Sequence, residues 1–422
     1  MAIRMKQAAH PTSELVRVFG RIGLLSFGGP AAQIALMHRN LVEERDWLTE
    51  DQFLRALSFC MMLPGPEAMQ LATYAGWRMR GVSGGLIGGL LFVLPGAIVI
   101  TVLALLYANF GTRPETAALL LGVKACVLVI VAQALVRLSA KALKSPSAYA
   151  LAGLSFLGIF AFQLPFPIII AAAATWGAIT ATNDTPKEIP QKHPSTRPRT
   201  LILWTALWLA PLPVLWLIGQ QFLFSLAAFF AKLAVVTFGG AYAVLAYMSQ
   251  EVVITRGWLD APQMVDALGL AETTPGPLIL VTQFVGMLAG HSVGGVALAL
   301  IAGVLTLWMT FVPCFLWIFA GAPHVENLLA RPRLLAALQA ITAAVVGVIL
   351  NLSLWFALHV IFAKVGQVTL GPVTLPWPEF SSYNWQIIPL ITVAFALIGP
   401  LKRGVLFTLV VCSAISWGLS LL

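Results

Sequence analysis

Charge is what this chain has least of. Asp, Glu, Lys and Arg make up 10% of its 422 residues, whereas apolar residues make up 59%. With a mean hydropathy of +0.90, the chain cannot clothe a water-soluble fold of this length, which leaves a polytopic membrane protein in a lipid bilayer. Cysteine is also sparse. Cys60, Cys126, Cys314 and Cys412 stand singly in apolar stretches, offering neither a disulfide framework nor metal-ligand spacing, and read as buried structural thiols. There is no Gly-x-x-x-x-Gly-Lys loop, so ATP drive is not encoded in this chain. His-Glu-x-x-His pairs, serine-centred elbows and clustered histidines are missing too, so an enzyme, a resident metal or a cofactor has no support. Residues 1–14 carry Arg4 and Lys6 but no short apolar core with a cleavage site, and no cleaved signal peptide is expected.

Basic residues outnumber acidic ones, 25 to 16. They are scattered over short loops rather than gathered on one face, which makes them an orientation signal and argues against a nucleic-acid partner.

What the chain does have is punctuation that occurs twice. Phe27-Gly28-Gly29-Pro30 is followed by Pro64-Gly65-Pro66, and Phe238-Gly239-Gly240 is followed at the same spacing by Pro275-Gly276-Pro277. Between them, Arg45-Asp46-Trp47-Leu48 is answered by Arg256-Gly257-Trp258-Leu259. The two forty-residue windows align without a gap at sixteen identities, which marks an internal duplication.

Apolar spans fall at roughly 14–37, 53–77, 83–109, 116–136, 147–162 and 165–181, then 201–219, then 222–248, 264–289, 293–320, 334–360, 386–399 and 404–421, near or below bilayer length. The expected fold is therefore an all-α polytopic membrane protein of about thirteen spans. Residues 1–181 form a first repeat, 182–200 a polar, proline-rich cytoplasmic linker, 201–221 a connecting transmembrane helix and 222–422 a second repeat. An odd helix between the repeats makes the second enter the membrane from the opposite side, so the halves are expected to be inverted. Charge agrees. With the N-terminus in the cytoplasm, only Arg39, Arg45, Arg55, Arg113 and Lys364 among the loop cations fall outside or at the outer rim. The C-terminus then lies outside, as does an interfacial loop over residues 362–384, and the membrane is a bacterial-type inner membrane. The turn at Arg78-Met79-Arg80-Gly81 is basic, whereas its ungapped counterpart Ala289-Gly290-His291-Ser292 has no Lys or Arg.

Proline on both sides of a glycine removes backbone donors and breaks a helix, and lipid cannot satisfy the groups set free. Two such breaks, with two Gly-Gly pairs, predict discontinuous helices meeting near the midplane, their N-termini presenting N–H groups to an anion. The alternative is that they are packing kinks. Arg21 and Lys232 each lie six residues before Phe27 and Phe238. Either they serve the anion or they snorkel to an interface. Lys124 lies mid-span with no acid nearby in sequence, and an anionic substrate is one candidate partner. Glu67, Asp266 and Glu272 are the acids in apolar context. They either titrate and couple transport to protons or neutralise those cations. Gln70, Thr73, Thr273, Thr274, Thr282 and Gln283 stand near the breaks, as substrate donors or as partners of helix backbone. The glycine runs at 84–89 and 294–303 read as close helix packing. They are compatible with a homodimer but do not select one.

Phe19 to Pro30, Arg45-Asp46-Trp47-Leu48, Leu63-Pro64-Gly65-Pro66-Glu67-Ala68, Gly76-Trp77, Gly81 and Phe92-x-x-Pro95-Gly96 together resemble the chromate ion transporter family, in its long form with two homologous halves. The resemblance covers nearly the whole chain. It implies export of chromate from the cytoplasm, driven by the proton motive force or the membrane potential, with sulfate as a structural analogue. The second half departs from the pattern: Ala241 replaces the proline of Phe-Gly-Gly-Pro, and Leu278 stands where Glu67 does. The residues alone lead as far as a secondary transporter for a small anion. A sulfate or organic-anion carrier and an anion channel are the alternatives, while a scaffold or lipid enzyme would have no use for paired breaks and intramembrane cations.

Overall fold

A computed structural model describes residues 11–181, 198–238, 240–325 and 331–421. Most of the expected linker and Gly239 therefore lie outside the described residues. The first half runs through α1 (Thr12–Leu25), α2 (Gly29–His38), α3 (Glu50–Met62), α4 (Glu67–Phe110), α5 (Pro114–Ala142), α6 (Pro146–Phe160) and α7 (Phe166–Thr180). Then come α8 (Pro198–Leu209) and α9 (Pro211–Leu217), joined through a helical Ala210 into one apolar helix of 20 residues, Pro198–Leu217, in which Pro211 removes only a single donor at the join. The second half comprises α10 (Gln221–Val236), α11 (Ala241–Ser249), α12 (Ala261–Glu272), α13 (Val281–Gly321), α14 (Pro332–Ile361), α15 (Ile387–Ile398) and α16 (Val405–Leu419). Large apolar side chains stand open on the flanks, Ile179 at 77% and Leu217 at 74% exposure among them, as suits lipid and not water.

The longest helices are folded back on themselves. In a straight helix Ala72 and Gly88 would lie about 24 Å apart. Instead, a Cβ placed on Gly88 would meet the Ala72 carbonyl at 2.4 Å, and one on Gly76 would meet the Gly84 carbonyl at 2.1 Å. The reversal is at Arg80 and Gly81, the latter with φ 60°. α13 turns in the same way at Gly294 and Gly295, φ 65°, bringing Gly286 against Thr306 and Gly303 against Met287. Lipid gives helices no hydrophobic reason to associate, so contact rests on close van der Waals approach, which glycine permits. That is the use of both glycine runs.

The duplication extends to local devices. α3 and α12 open with the same capping box, Thr49 with Gln52 and Asp260 with Gln263, and α2 and α11 each run into a π-helical turn, Arg39–Glu43 and Gln250–Thr255. Asp46 and Gly257, at matching positions, both take positive φ, 51° and 59°. One register differs from the ungapped reading. A 3-10 turn at Leu278–Leu280 precedes α13, so the reversal at Gly81 is matched by Gly295 and not Ser292. The counterpart of the Arg78–Gly81 turn is thus Ser292-Val293-Gly294-Gly295, still without Lys or Arg.

The halves interlock. α14 packs against α6 and α7, and α5 against α15 and α16, with backbone contacts allowed by Gly347 on Ala152, Gly177 on Ala336 and Gly122 on Cys412. α8 is clamped to α13 by a reciprocal pair of indole bonds, Trp208 Nε1 to the Met309 carbonyl (3.1 Å) and Trp308 Nε1 to the Leu207 carbonyl (3.0 Å).

The protein is mostly helical, but one segment corrects the all-α expectation. Residues 362–384 contain an antiparallel hairpin, β1 (Val365–Leu370) with β2 (Val373–Pro378), Leu370 opposite Val373. Its two-residue turn puts Gly371 at φ 61°, the conformation a primed hairpin turn reserves for glycine. Trp377, Phe380 and Trp385 are exposed around it.

Candidate functional site

Four interruptions of helix converge between the halves. α1 ends at Ser26, whose Oγ donates to the Ile22 carbonyl (2.6 Å), and α10 ends at the matching Thr237, whose Oγ1 donates to the Leu233 carbonyl (2.5 Å). Phe27 and Phe238 donate their N–H groups back to Leu25 and Val236, each at 2.9 Å. Gly28 and Gly29 then take φ 87° and 78°, and Gly240 takes 96°, which a side chain would resist. At the other two interruptions Gly65 and Gly276 also have positive φ, 120° and 89°.

Flanked by prolines, each of these glycines carries the one N–H of its triplet. The carbonyls at a helix end equally lack partners. Each need is met by the other half: Gly65 N–H donates to the Thr237 carbonyl (2.9 Å) and Gly276 N–H to the Ser26 carbonyl (2.8 Å). Buried backbone at a break is thereby satisfied without water. The packing is reciprocal as well. A Cβ on Gly96 would lie 2.1 Å from the Pro275 carbonyl, and one on Gly65 would lie 3.0 Å from Cys314 Sγ. Gly96 and Cys314 each follow a proline inside a helix arm, Pro95 and Pro313.

The helices leaving the breaks, α2, α4 and α11, have no side-chain N-cap, unlike α3 and α12 with their capping boxes, although at α4 the Glu67 carboxylate lies on its own backbone N–H. Uncapped N–H groups and the positive end of the helix dipole suit an anion. Two carboxamides lie across the breaks. Gln33 Nε2 donates to the Gly276 carbonyl (2.6 Å) and the Ser26 carbonyl (3.3 Å), and Gln70 Nε2 to the Pro64 carbonyl (2.7 Å). Their Oε1 atoms, and that of Gln283, are buried without a hydrogen-bond partner.

The charged candidates divide. Lys124 on α5 meets Asp266 on α12, Nζ to Oδ1 at 2.8 Å, and Tyr107 donates its hydroxyl to Asp266 Oδ2, also at 2.8 Å. The acid that the local sequence did not offer comes from the other half. Glu272 accepts from the Tyr242 hydroxyl (2.9 Å) and is 8% exposed. Glu67 is the first residue of α4, where the dipole favours a carboxylate. Arg21 and Lys232 are both exposed on their helices, and Lys232 Nζ stands 5.6 Å over the Tyr247 ring. Thr73, Thr273, Thr274 and Thr282 donate to the carbonyls of Met69, Leu270, Ala271 and Ile279, so their hydroxyl protons serve helix backbone.

Sequence reasoning passed over Ser26, Thr237, Gln33, Tyr107 and Tyr242. A hydroxyl directly before each Phe-Gly-Gly was the available signal for the first two. Gln33 had only its polarity one turn beyond a break, and the tyrosines had none.

Residues 13–178 and 224–417 match the family described as chromate transporter. A chromate transport protein of Pseudomonas aeruginosa is 31% identical over 374 residues, 86% of each chain. One of Cupriavidus metallidurans is 30% identical over 346 residues, 80% of each. A probable chromate transport protein of Synechococcus elongatus is 30% identical over 353 residues, 81% of this chain and 83% of its own. No solved structure matches the chain.

Proposed function

The chain belongs to the chromate transporter family, and from that premise we propose that it is a secondary carrier exporting chromate from the cytoplasm, driven by the proton motive force or the membrane potential, and so conferring chromate resistance. The carrying observation is the reciprocal pair of cross-half bonds, Gly65 to Thr237 and Gly276 to Ser26. They join four breaks into one polar locus beside the uncapped N-termini of α2 and α11, the kind of place where an oxyanion binds without a dedicated cation.

In this reading Phe27-Gly28-Gly29, Pro64-Gly65-Pro66, Phe238 with Gly240, and Pro275-Gly276-Pro277 form the floor of the site. Gln70 adds a side chain, and Arg21 and Lys232 draw the anion in from symmetric positions. Lys124 enters as half of an ion pair with Asp266 and not as a free cation. Glu67 and Glu272 remain as the acids that can carry a coupling proton. The chain crosses an inner membrane about thirteen times with its N-terminus in the cytoplasm, its C-terminus outside and its halves inverted. Rocking one half against the other would expose the locus to each side in turn.

Uptake of labelled chromate into inverted membrane vesicles, with and without an imposed gradient and with excess sulfate, tests this. Saturable, gradient-driven uptake is expected. Folded, inserted protein that takes up none refutes chromate as the substrate, and flux that does not saturate turns the carrier into a channel.

A further inference from the structure

At the locus, donors are easily accounted for. The unexplained atoms are acceptors. Gln33 is 2% exposed and Gln70 fully buried, yet Oε1 of each has no donor within reach. Exchanging N and O in either carboxamide does not help. Gln33 Nε2 faces the Ser26 and Gly276 carbonyls, and Gln70 Nε2 faces that of Pro64, so an inverted amide would set oxygen against oxygen. Both residues lie in or just beyond the first turn of an uncapped helix, and both amides are anchored to break backbone. Gln70 Nε2 is, in addition, 2.7 Å from where a Gly65 Cβ would sit. In the second half these acceptors are replaced by apolar residues. Val244 matches Gln33, and Phe284 matches Gln70 once the three-residue turn is counted.

A fully ionised oxyanion has no hydrogen to give such an atom and is repelled by it. An oxyanion that keeps one proton offers an O–H to a carbonyl oxygen and charged oxygens to helix N–H groups. We propose that one of the two free acceptors, Gln33 Oε1 or Gln70 Oε1, takes the O–H of a singly protonated oxyanion, so that this carrier takes hydrogen chromate in preference to the dianion. The inference rests on the locus being the chromate site. It also gives the site a means of telling chromate from sulfate, which shape and charge do not. Hydrogen chromate gives up its proton near neutrality, whereas hydrogen sulfate has lost its own far below, so at cellular pH sulfate has nothing to donate. A site built around a substrate hydroxyl discriminates strongly against an analogue without one.

The test is equilibrium binding of labelled chromate to the purified full-length protein in detergent, without any gradient, from pH 6 to pH 9. Wild-type affinity for total chromate is expected to fall about tenfold per pH unit once the dianion predominates, the slope of one bound proton, and sulfate is expected to compete poorly throughout. Gln33→Met with Gln70→Met should flatten that slope and let sulfate compete at least about tenfold better. The titratable and charged side chains around the locus are Glu67 on α4, with Cys60 on α3 and Lys141 on α5 acting on it, Cys314 on α13, and Glu272 with Tyr242 on α12 and α11, with Arg137 on α5 acting on the tyrosine. The slope should survive Glu67→Gln and Glu272→Gln. Wild-type binding that is flat with pH overturns the inference even if the Met variants do not fold. A slope abolished by Glu67→Gln or Glu272→Gln overturns it as well, placing the proton on the protein. No chromate binding by wild type at any pH removes the substrate reading itself, a result distinct from the other two.

Discussion

Gly65 of the first half is crowded by Gln70 and Cys314, whereas Gly276 of the second would meet nothing closer than 3.3 Å on gaining a Cβ. Glu67, Gln33 and Gln70 surround the first set of breaks, and apolar residues hold the matching places in the second. In return, the second half carries Asp266 and Glu272 on α12 where α3 has Arg55 and Met61. The backbone of the two halves is thus nearly the same and the side chains are not. A duplicated scaffold keeps what every break requires, namely a glycine N–H and an orphan carbonyl to receive it. It is free to divide acid, acceptor and cation between the copies.

That contrast is broken most severely at the glycines. Gly96→Ala puts a methyl group 2.1 Å from the Pro275 carbonyl, which only displacement of the opposing break can relieve. Misplacement of about 1 Å at a binding site costs on the order of a hundredfold, and chromate uptake by vesicles containing this variant should fall by about that much at normal membrane abundance. Gly65→Ala should come next, because its neighbours are side chains that can yield. Gly276→Ala should be mildest, its cost being chiefly the positive φ. Equal loss from Gly65→Ala and Gly276→Ala would show that the halves contribute alike after all.

The ion pair sharpens the comparison. Lys124→Ala strands Asp266, which is 6% exposed, and removing one partner of a buried pair costs about 3–5 kcal/mol. Thermal unfolding in detergent should show that loss for either single variant and recover part of it in Lys124→Ala with Asp266→Ala. At the matching place in the first half, Arg55 pairs with Asp51 at the surface, and Arg55→Ala should move the unfolding temperature far less than Lys124→Ala does. If the double variant were no better than the singles, Lys124 would have work beyond neutralising Asp266.

How much of this was legible in the sequence depends on whether the cause is local. Prolines around a glycine, and glycines that need positive φ, act on their own backbone, so the breaks could be read before the structure. The reversal at Gly81 was marked in the same way, whereas the one at Gly294 and Gly295 lies three residues beyond the turn expected at Ala289–Ser292, because the extra 3-10 turn at Leu278–Leu280 leaves no mark in the sequence. The pairing of Lys124 with Asp266 could not be read, because it joins two halves across 142 residues and neither neighbourhood hints at the other. The free acceptors on Gln33 and Gln70 emerge only when every donor around them has been placed. The hairpin at 365–378 was hidden by its prolines and aromatics, which read equally well as an interfacial loop.

Smaller effects are expected at the turn between α2 and α3, where the same backbone carries different residues. Asp46 takes φ 51° and Gly257 takes 59°, and both are exposed. Asp46→Gly should be tolerated and Gly257→Asp should cost about 1 kcal/mol, as a left-handed conformation does for a residue with a Cβ. The smallest effect concerns His38, which has no counterpart because Ser249 occupies its place. Its Nε2 lies 2.6 Å from Glu50 and its Nδ1 3.0 Å from Glu43. The bond to Glu50, with the nearby charge of both carboxylates, holds the imidazole above its ordinary value of 6.5. A raised value means that the folded protein holds the proton more tightly than the unfolded chain. The stabilisation is therefore complete below about pH 6.5 and fades as pH rises through the raised value. Thermal unfolding of wild type should weaken slightly over that interval, and His38→Gln should remove the dependence. Were the dependence to persist in His38→Gln, the titrating group would lie elsewhere, and the first half would owe its pH response to the acids around its breaks instead of this turn.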